Sequence, residues 1–347
     1  GYYNVTGQYN TWLGVDAGAG ELNYSNGNNT GVGALALTEI TTGNNNVAVG
    51  AGAHRNATIS ANTVAIGYQA GYNSTASQDW VYIGYQAGYG GTGNHYSVYV
   101  GYQSGYGAGA GSGGERNSAL GKGTLLNTNG GSDNCAIGYD SSKGITTGDF
   151  NTTIGAYSNP VLTTGSDNIY IGSYTKSSAV DITNEIVIGA GANDGSDYLV
   201  GKGNDTAVIG GENGYIWNDF SSNGTWQQVS DERTKKDIKD SDLGLSFIND
   251  LRPVTYKKKP KSEYPKSFDD YNEKKTTVKD KKLYGFIAQE VKEAMDKASH
   301  SDFTAWTEGK DGMQGLGVAE LITPLVKAVQ ELSAEIDKLK EQLNKES

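Results

Sequence analysis

Val64-Ala65-Ile66-Gly67 is followed seventeen residues on by Val81-Tyr82-Ile83-Gly84, and seventeen further by Val98-Tyr99-Val100-Gly101. The same unit stands one step earlier as Val47-Ala48-Val49-Gly50, with shorter copies at Leu13-Gly14 and Val32-Gly33. After a slightly longer step the spacing resumes at Ala119-Leu120-Gly121, Ala136-Ile137-Gly138, Thr153-Ile154-Gly155, Tyr170-Ile171-Gly172 and Val187-Ile188-Gly189, then shortens toward Val200-Gly201 and Ile209-Gly210. A fixed period of this kind marks a solenoid, in which each repeat is one coil and can bury its apolar face only against its neighbours. Residues two apart are apolar, as in Val64 and Ile66, which predicts a short strand with that pair on its buried face. The Gly that follows admits a turn closed to other side chains. A dozen coils stacked about 4.8 Å apart would make a narrow rod roughly 55 to 60 Å long.

Composition changes along the chain. Fifty of the 347 residues are Gly and only 5 are Pro. Up to about Trp217 the chain is rich in Gly, Asn, Thr, Tyr and Ala, and from Ser230 it is rich in Lys, Glu, Asp and Leu. This divides it into a repeat fibre domain at 1–211, a junction at 212–229 and a C-terminal module at 230–347. The formal net charge of −11 falls almost wholly on the repeats, so nucleic acid is not an expected partner. No apolar run approaches the length of a membrane span, so membrane insertion is not expected either. Cys135 is the single cysteine, can form no intrachain disulfide, and is expected to be a small buried residue. The chain opens on Gly1 in place of Met, so an N-terminal attachment region is expected to be missing.

The second half of many repeats is small, as in Ala51-Gly52-Ala53 and Gln69-Ala70-Gly71, which suits close approach between chains. Over about residues 10–211 the pattern resembles the left-handed parallel β-roll of trimeric autotransporter adhesin heads. That resemblance implies three rolls packed through their small and apolar faces. Those adhesins end in a membrane-anchoring β-barrel, whereas this chain ends in a charged helix, which weakens a surface-anchored bacterial reading.

Three ordered motifs occupy the C-terminal third: Ser230-Asp231-Glu232-Arg233-Thr234-Lys235-Lys236-Asp237-Ile238, Leu251-Arg252-Pro253-Val254-Thr255-Tyr256, and Tyr284-Gly285-Phe286-Ile287-Ala288-Gln289-Glu290-Val291. Together they resemble the intramolecular chaperone, of endosialidase type, at the end of phage tail spikes and fibres. The resemblance implies a module that trimerises, guides folding of the β-rich fibre before it, and then cuts itself off. It places the nucleophile at Ser230, the base at Lys235 and the scissile bond at Ser230–Asp231. It also implies a serine endopeptidase that acts once per chain, without cofactor or metal. A serine hydroxyl attacks only when a base takes its proton, and a lysine serves only when neutral. With a pKa near 10.4, about 0.04% of a lysine is neutral at pH 7. Burial, or crowding by Arg233, Lys236 and basic groups of neighbouring chains, would raise that fraction several-hundredfold, so trimer folding is expected to switch the protease on. Spacing alone reads the same segment as a turn or helix cap with Lys235 solvated.

Beyond the dyad, Leu243, Phe247, Ile248 and Leu251 recur at helical spacing before Pro253 forces an extended segment, and Ile287, Val291 and Met295 mark a second helix. The lysine-heavy residues 257–282 read as a solvated loop, or, from the family, as an arm that grips the acidic fibre during folding. Ile322, Leu325, Val329, Leu332, Ile336, Leu339 and Leu343 alternate in steps of three and four, a coiled-coil seam, with Thr323 as N-cap and Pro324 at the first helical position. Its residue pattern favours a dimer by rule, whereas the family and the β-roll argue for a homotrimer.

The glycine-rich residues 107–114 lack the Gly-Lys-Ser/Thr of a phosphate loop and read as a linker between coils. His54, His95 and His300 are isolated from Cys or paired carboxylates, so a metal site is not expected. The Tyr-Gln-Ala-Gly-Tyr copies at Tyr68–Tyr72 and Tyr85–Tyr89, echoed from Tyr102 to Tyr106, read either as stacking ladders between coils or as an exposed aromatic stripe for sugars. These observations lead to the expectation of a virion tail fibre, assembled in the host cytoplasm, that attaches to a host surface glycan or protein. The alternatives are a glycan-degrading spike, which needs two carboxylates in a groove, and a structural spacer.

Overall fold

The structure, a computed structural model, describes all residues except 1–2, 4–5, 21–24, 77, 92–94, 108–113, 193–196, 212–213, 222–225, 229 and 347. It divides into two compact units, Gly1–Asp231 and Glu232–Ser347. The first is a β-solenoid of about eleven turns. Twelve short parallel strands, from Thr11–Leu13 to Thr206–Gly211, stack in one sheet. Most steps pair residue i with i+17, as in Val64↔Val81 and Val81↔Val98. The step from Val98 to Ser118 is longer by three residues. The stack ends in an antiparallel meander, in which Gly214–Asp219 pairs with Thr206–Gly211 and Gln227–Gln228 pairs with Gly214–Asp219.

The strand faces are the reverse of the sequence expectation. The middle residue of each strand points into the coil: Ala48, Ala65, Tyr82, Tyr99, Ala136, Tyr170 and Val187 are all fully buried. The β-branched residues on either side face outward. The interior is too narrow for two large side chains per strand, so the i, i+2 pair is apolar for another reason. Cys135 opens one of these strands and is only half-buried, because it lies on the outward face with Val64 and Val81.

Inside the coil, volume is shared between the middle strand residue and the residue six positions later. A large ring meets Gly, as in Tyr82 with Gly88 and Tyr99 with Gly105, where an added Cβ would collide with the ring. A small strand residue meets a large partner, as in Ala48 with His54 and Ala119 with Leu125, all buried. The coils turn through left-handed backbone, which L-residues adopt at a cost of about 1–2 kcal/mol and Asn, Asp and Gly adopt most easily. Asn28, Asn45, Asn62 and Asp79 occupy one such corner with φ between 55° and 60°. The Gly closing each strand is obligatory: at Gly67 φ is +134° and a Cβ would strike the Gly84 carbonyl of the next coil.

One buried ladder was not recognised in the sequence, although its seventeen-residue spacing was visible there. Asn117, Asn134, Asn151 and Asn168 lie inside successive coils. The Asn134 backbone N–H donates to Asn117 Oδ1 at 2.9 Å, and that of Glu185 to Asn168 Oδ1 at 2.8 Å. Each amide also donates to a carbonyl of the next coil, as Asn134 does to Gly148 at 2.8 Å. The ladder ends on the backbone of Glu185, whose buried carboxylate accepts separately from the Tyr170 and Ser178 hydroxyls, both at 2.7 Å, and from the Gly203 N–H at 2.9 Å. Buried polar groups of this kind are tolerated because they are hydrogen-bonded.

The second unit is small and α/β. Helix α1, Leu245–Asp250, α2, Ala288–Lys297, and α3, Ile322–Glu346, accompany two hairpins, Val254–Tyr256 with Leu283–Gly285 and Trp306–Glu308 with Gln314–Leu316. Leu243, Phe247, Val291, Met295 and Leu321 form its core. The α1 N-terminus has no side-chain cap of its own, and Glu331 of α3 accepts from the Leu245 N–H at 2.7 Å instead. The α3 helix begins earlier than expected, running on from a 3-10 turn at Val318–Leu321, so Thr323 is not its cap. Pro324 falls in the first turn, where its missing N–H breaks no helical bond. No helix among the described residues is long and apolar enough to cross a membrane.

Candidate functional site

Two of the three C-terminal motifs come together in the fold. The strand Val254–Tyr256 pairs antiparallel with Leu283–Gly285, Thr255 opposite Tyr284. Pro253 forces the chain before that strand into an extended path, and α2 starts directly after the other. The Arg252 guanidinium then reaches the Glu290 carboxylate through two nitrogens, a planar fork on a planar acceptor. Glu290 in turn holds the Arg252 pKa above its usual value. The lysine-heavy residues between these strands run mostly without regular structure and largely exposed, apart from a 3-10 turn at Lys261–Glu263.

The first motif is presented differently. Ser230 follows the last strand of the solenoid sheet, and a 3-10 turn at Glu232–Thr234 leads to Lys235, whose backbone N–H donates to the Glu232 carbonyl at 3.0 Å. Every residue from Ser230 to Asp242 is exposed in the single chain. The boundary between the two units falls after Asp231, so Ser230 belongs to one unit and Lys235 to the other. Both residues are exposed in the single chain, whereas a Ser-Lys pair works from a water-excluded site.

Other sequence candidates separate clearly. His54 lies fully buried in the solenoid, with Nε2 3.1 Å from the Ser74 carbonyl and Nδ1 3.2 Å from the Thr63 hydroxyl. Burial lowers its pKa to about 3, so it is a neutral core residue. His95 accepts from the Gln78 N–H at 3.2 Å, and His300 lies 2.9 Å from Asp242. No group of three metal-ligating side chains occurs among the described residues. Of the glycine run at 107–114, residues 108–113 lie outside the described residues.

Two apolar rows are exposed in the single chain. On the solenoid, Ile66, Ile83, Leu120, Ile137, Ile154, Ile171, Ile188 and Ile209 share one register and are each 36–53% exposed. On α3, the seam from Ile322 to Leu343 faces solvent. Its first turn joins an apolar groove of about 390 Å³ lined by Ile248, Leu251, Phe286, Leu321, Ile322 and Leu325.

Neither the curated proteins nor the solved structures gave a match. Residues 230–300 match the family model described as chaperone of endosialidase, a peptidase family. The match spans all three motifs and implies, for the C-terminal unit, an intramolecular chaperone with self-cleaving serine-peptidase activity.

Proposed function

We propose that the chain is one of three in a tail fibre that attaches to a host surface, and that its C-terminal unit drives trimer folding before releasing itself at Ser230–Asp231. The exposed isoleucine row carries this reading. An apolar stripe that continues over successive coils is far longer than a soluble monomer normally leaves uncovered. The α3 seam is a second such stripe on the same chain, and identical stripes on identical chains are complementary under rotational symmetry. Three chains brought together at their C-terminal ends would set the solenoid rows side by side in register.

In this reading the Ser230 Oγ of a neighbouring chain attacks the Ser230 carbonyl carbon and forms an interchain ester, since attack by the residue's own hydroxyl would close a strained four-membered lactone. The Ser230–Asp231 C–N bond breaks, the Asp231 nitrogen leaves as an amine, and water hydrolyses the resulting ester. Lys235 takes the hydroxyl proton and returns it to the leaving nitrogen. The solvent exposure of this segment in one chain supports activation by assembly, since water is excluded only when neighbouring chains close over it. The position of the bond, one residue before the boundary between units, would free a folded fibre from a folded chaperone.

Ser230→Ala is expected to leave an uncut, folded trimer that runs at full length on a denaturing gel, whereas the native chain gives two fragments. Unchanged processing of the variant would reject the assignment. Cys135, on the outward strand face, reports the packing independently. A short thiol-to-thiol cross-linker should give covalent dimers with one uncross-linked chain per trimer, and purely monomeric product would overturn side-by-side packing.

A further inference from the structure

Around the corner from the isoleucine row, three successive coils carry Tyr-Gln-X-Gly-Tyr, with Ala70, Ala87 and Ser104 at the middle position. Tyr68, Tyr85 and Tyr102 stack with centroids 5.3 and 5.0 Å apart and planes within 15°, and are 41–47% exposed. Gln69, Gln86 and Gln103 form an amide chain beside them, with N–H to O distances of 2.9 and 3.0 Å. Tyr72, Tyr89 and Tyr106 form a second, half-buried stack with spacings of 5.2 and 5.1 Å. Gln86 and Gln103 each have two N–H donors and spend one on the chain, which leaves the other for a ligand, while Gln69 enters the chain as an acceptor.

Along most of the ladder each ring covers the face of the next, so the edges point outward. Tyr68 differs: among the described residues it stacks only on Tyr85, and the coil before carries Ala51 at its register, so no ring lies beneath it. The surface is therefore a flat phenol face at one end, continued by a line of phenol edges and amides repeating once per coil. An extended pyranose chain advances by about 5 Å per sugar, nearly the strand spacing that sets this repeat. Sugars meet proteins through this combination of an aromatic face and fixed polar groups. Charge selects within the class: the repeats carry six basic against sixteen acidic residues before Ser230. Arg55 and Lys122, at the two ends, are already held over Tyr72, Tyr102 and Tyr139.

Resting on the attachment reading above, we propose that this face binds a linear, uncharged polysaccharide laid along the stacking direction, one sugar per coil, with a terminal sugar stacked on Tyr68.

The test uses the assembled fibre. A soluble β-glucan, a mannan and a polyuronate are titrated in turn by calorimetry against native protein, Tyr68→Ala, Tyr85→Phe and Gln86→Leu. The β-glucan or the mannan should bind, with a tenfold or greater loss for Tyr68→Ala and a severalfold loss for Gln86→Leu, in fibre whose circular dichroism shows the coils still folded. Tyr85→Phe keeps the stack and removes one hydroxyl, so a several-fold loss there marks hydrogen bonding along the ladder. Binding of the polyuronate alone, binding of none, or equal binding by all four proteins would overturn the proposal. So would protection of Tyr68 from nitration in the ligand-free fibre, which would mean that a second copy covers the face. Adsorption of the fibre to host cells is scored separately. Adsorption that survives the ladder substitutions sinks this site and leaves attachment standing, whereas polysaccharide binding without adsorption does the reverse.

Discussion

His54 shows how one side chain ties this fold to pH. It fills the volume left by Ala48, against the edge of Trp80, and has no room for solvent. Its folded pKa, about 3, lies below the ordinary 6.5, so the unfolded chain binds the proton first as pH falls. Stability attributable to this group is therefore complete above pH 6.5 and is lost progressively down to about pH 3. Between pH 7 and 4.5 the loss should be roughly 2 to 3 kcal/mol per chain. Asn159 occupies the same register with nearly the same φ, 48° against 49°, so His54→Asn should fit the backbone. The difference in denaturation midpoint between native and variant chains, followed over that range, should shrink steadily with acidity. A constant difference would mean that His54 does not titrate as a buried group. The histidine is visible in the sequence, but its burial is not, because it follows from Ala48 and not the flanking Val47 and Val49 pointing into the coil.

At the level of the coil, the determinant is the sum of two side-chain volumes rather than either residue. Tyr82→Ala should cost about 3 to 5 kcal/mol by opening a cavity. Gly88→Leu should also destabilise, by driving a side chain into the Tyr82 ring. The double substitution recreates the Ala119 and Leu125 pair, and Leu125 has φ 49° where Gly88 has 60°, so the backbone accepts it. A coupling of about 2 to 3 kcal/mol in a double-mutant cycle is expected from urea unfolding, and simple additivity would contradict the shared-volume account. The seventeen-residue period was legible because the Gly after each strand and the Asn or Asp at the corner answer backbone demands that few residues meet. Which strand residue lies inside was not legible, because Val-Ala-Ile satisfies a buried outer pair and a buried middle residue equally well until the width of the coil is known.

For the whole molecule, the exposed isoleucine row makes assembly testable without touching the interior. Ile137 and Ile154 are more than a third exposed in the single chain, so Ile137→Lys with Ile154→Lys should leave the coil intact. If the row is the packing face, six buried ammonium groups per trimer would be intolerable. Sedimentation should then show monomer or aggregate in place of trimer, with the parallel-strand circular dichroism of the coils retained. A trimer unaffected by both lysines would place the packing face elsewhere. Parallel pairing is slow and its edges are open to misassembly, so in the proposed function the C-terminal unit would align the chains first.

The order and length of the coils, the change of composition near Ser230 and the three C-terminal motifs were all written in local residue patterns, since each depends on backbone permission or on a fixed spacing. The inward choice of Ala65 and Tyr82, the buried asparagine ladder, and the pairing of Arg252 with Glu290 emerged only from the folded chain. Each of those depends on what a neighbouring coil or strand puts across the gap, a distance that spacing along one dimension does not contain.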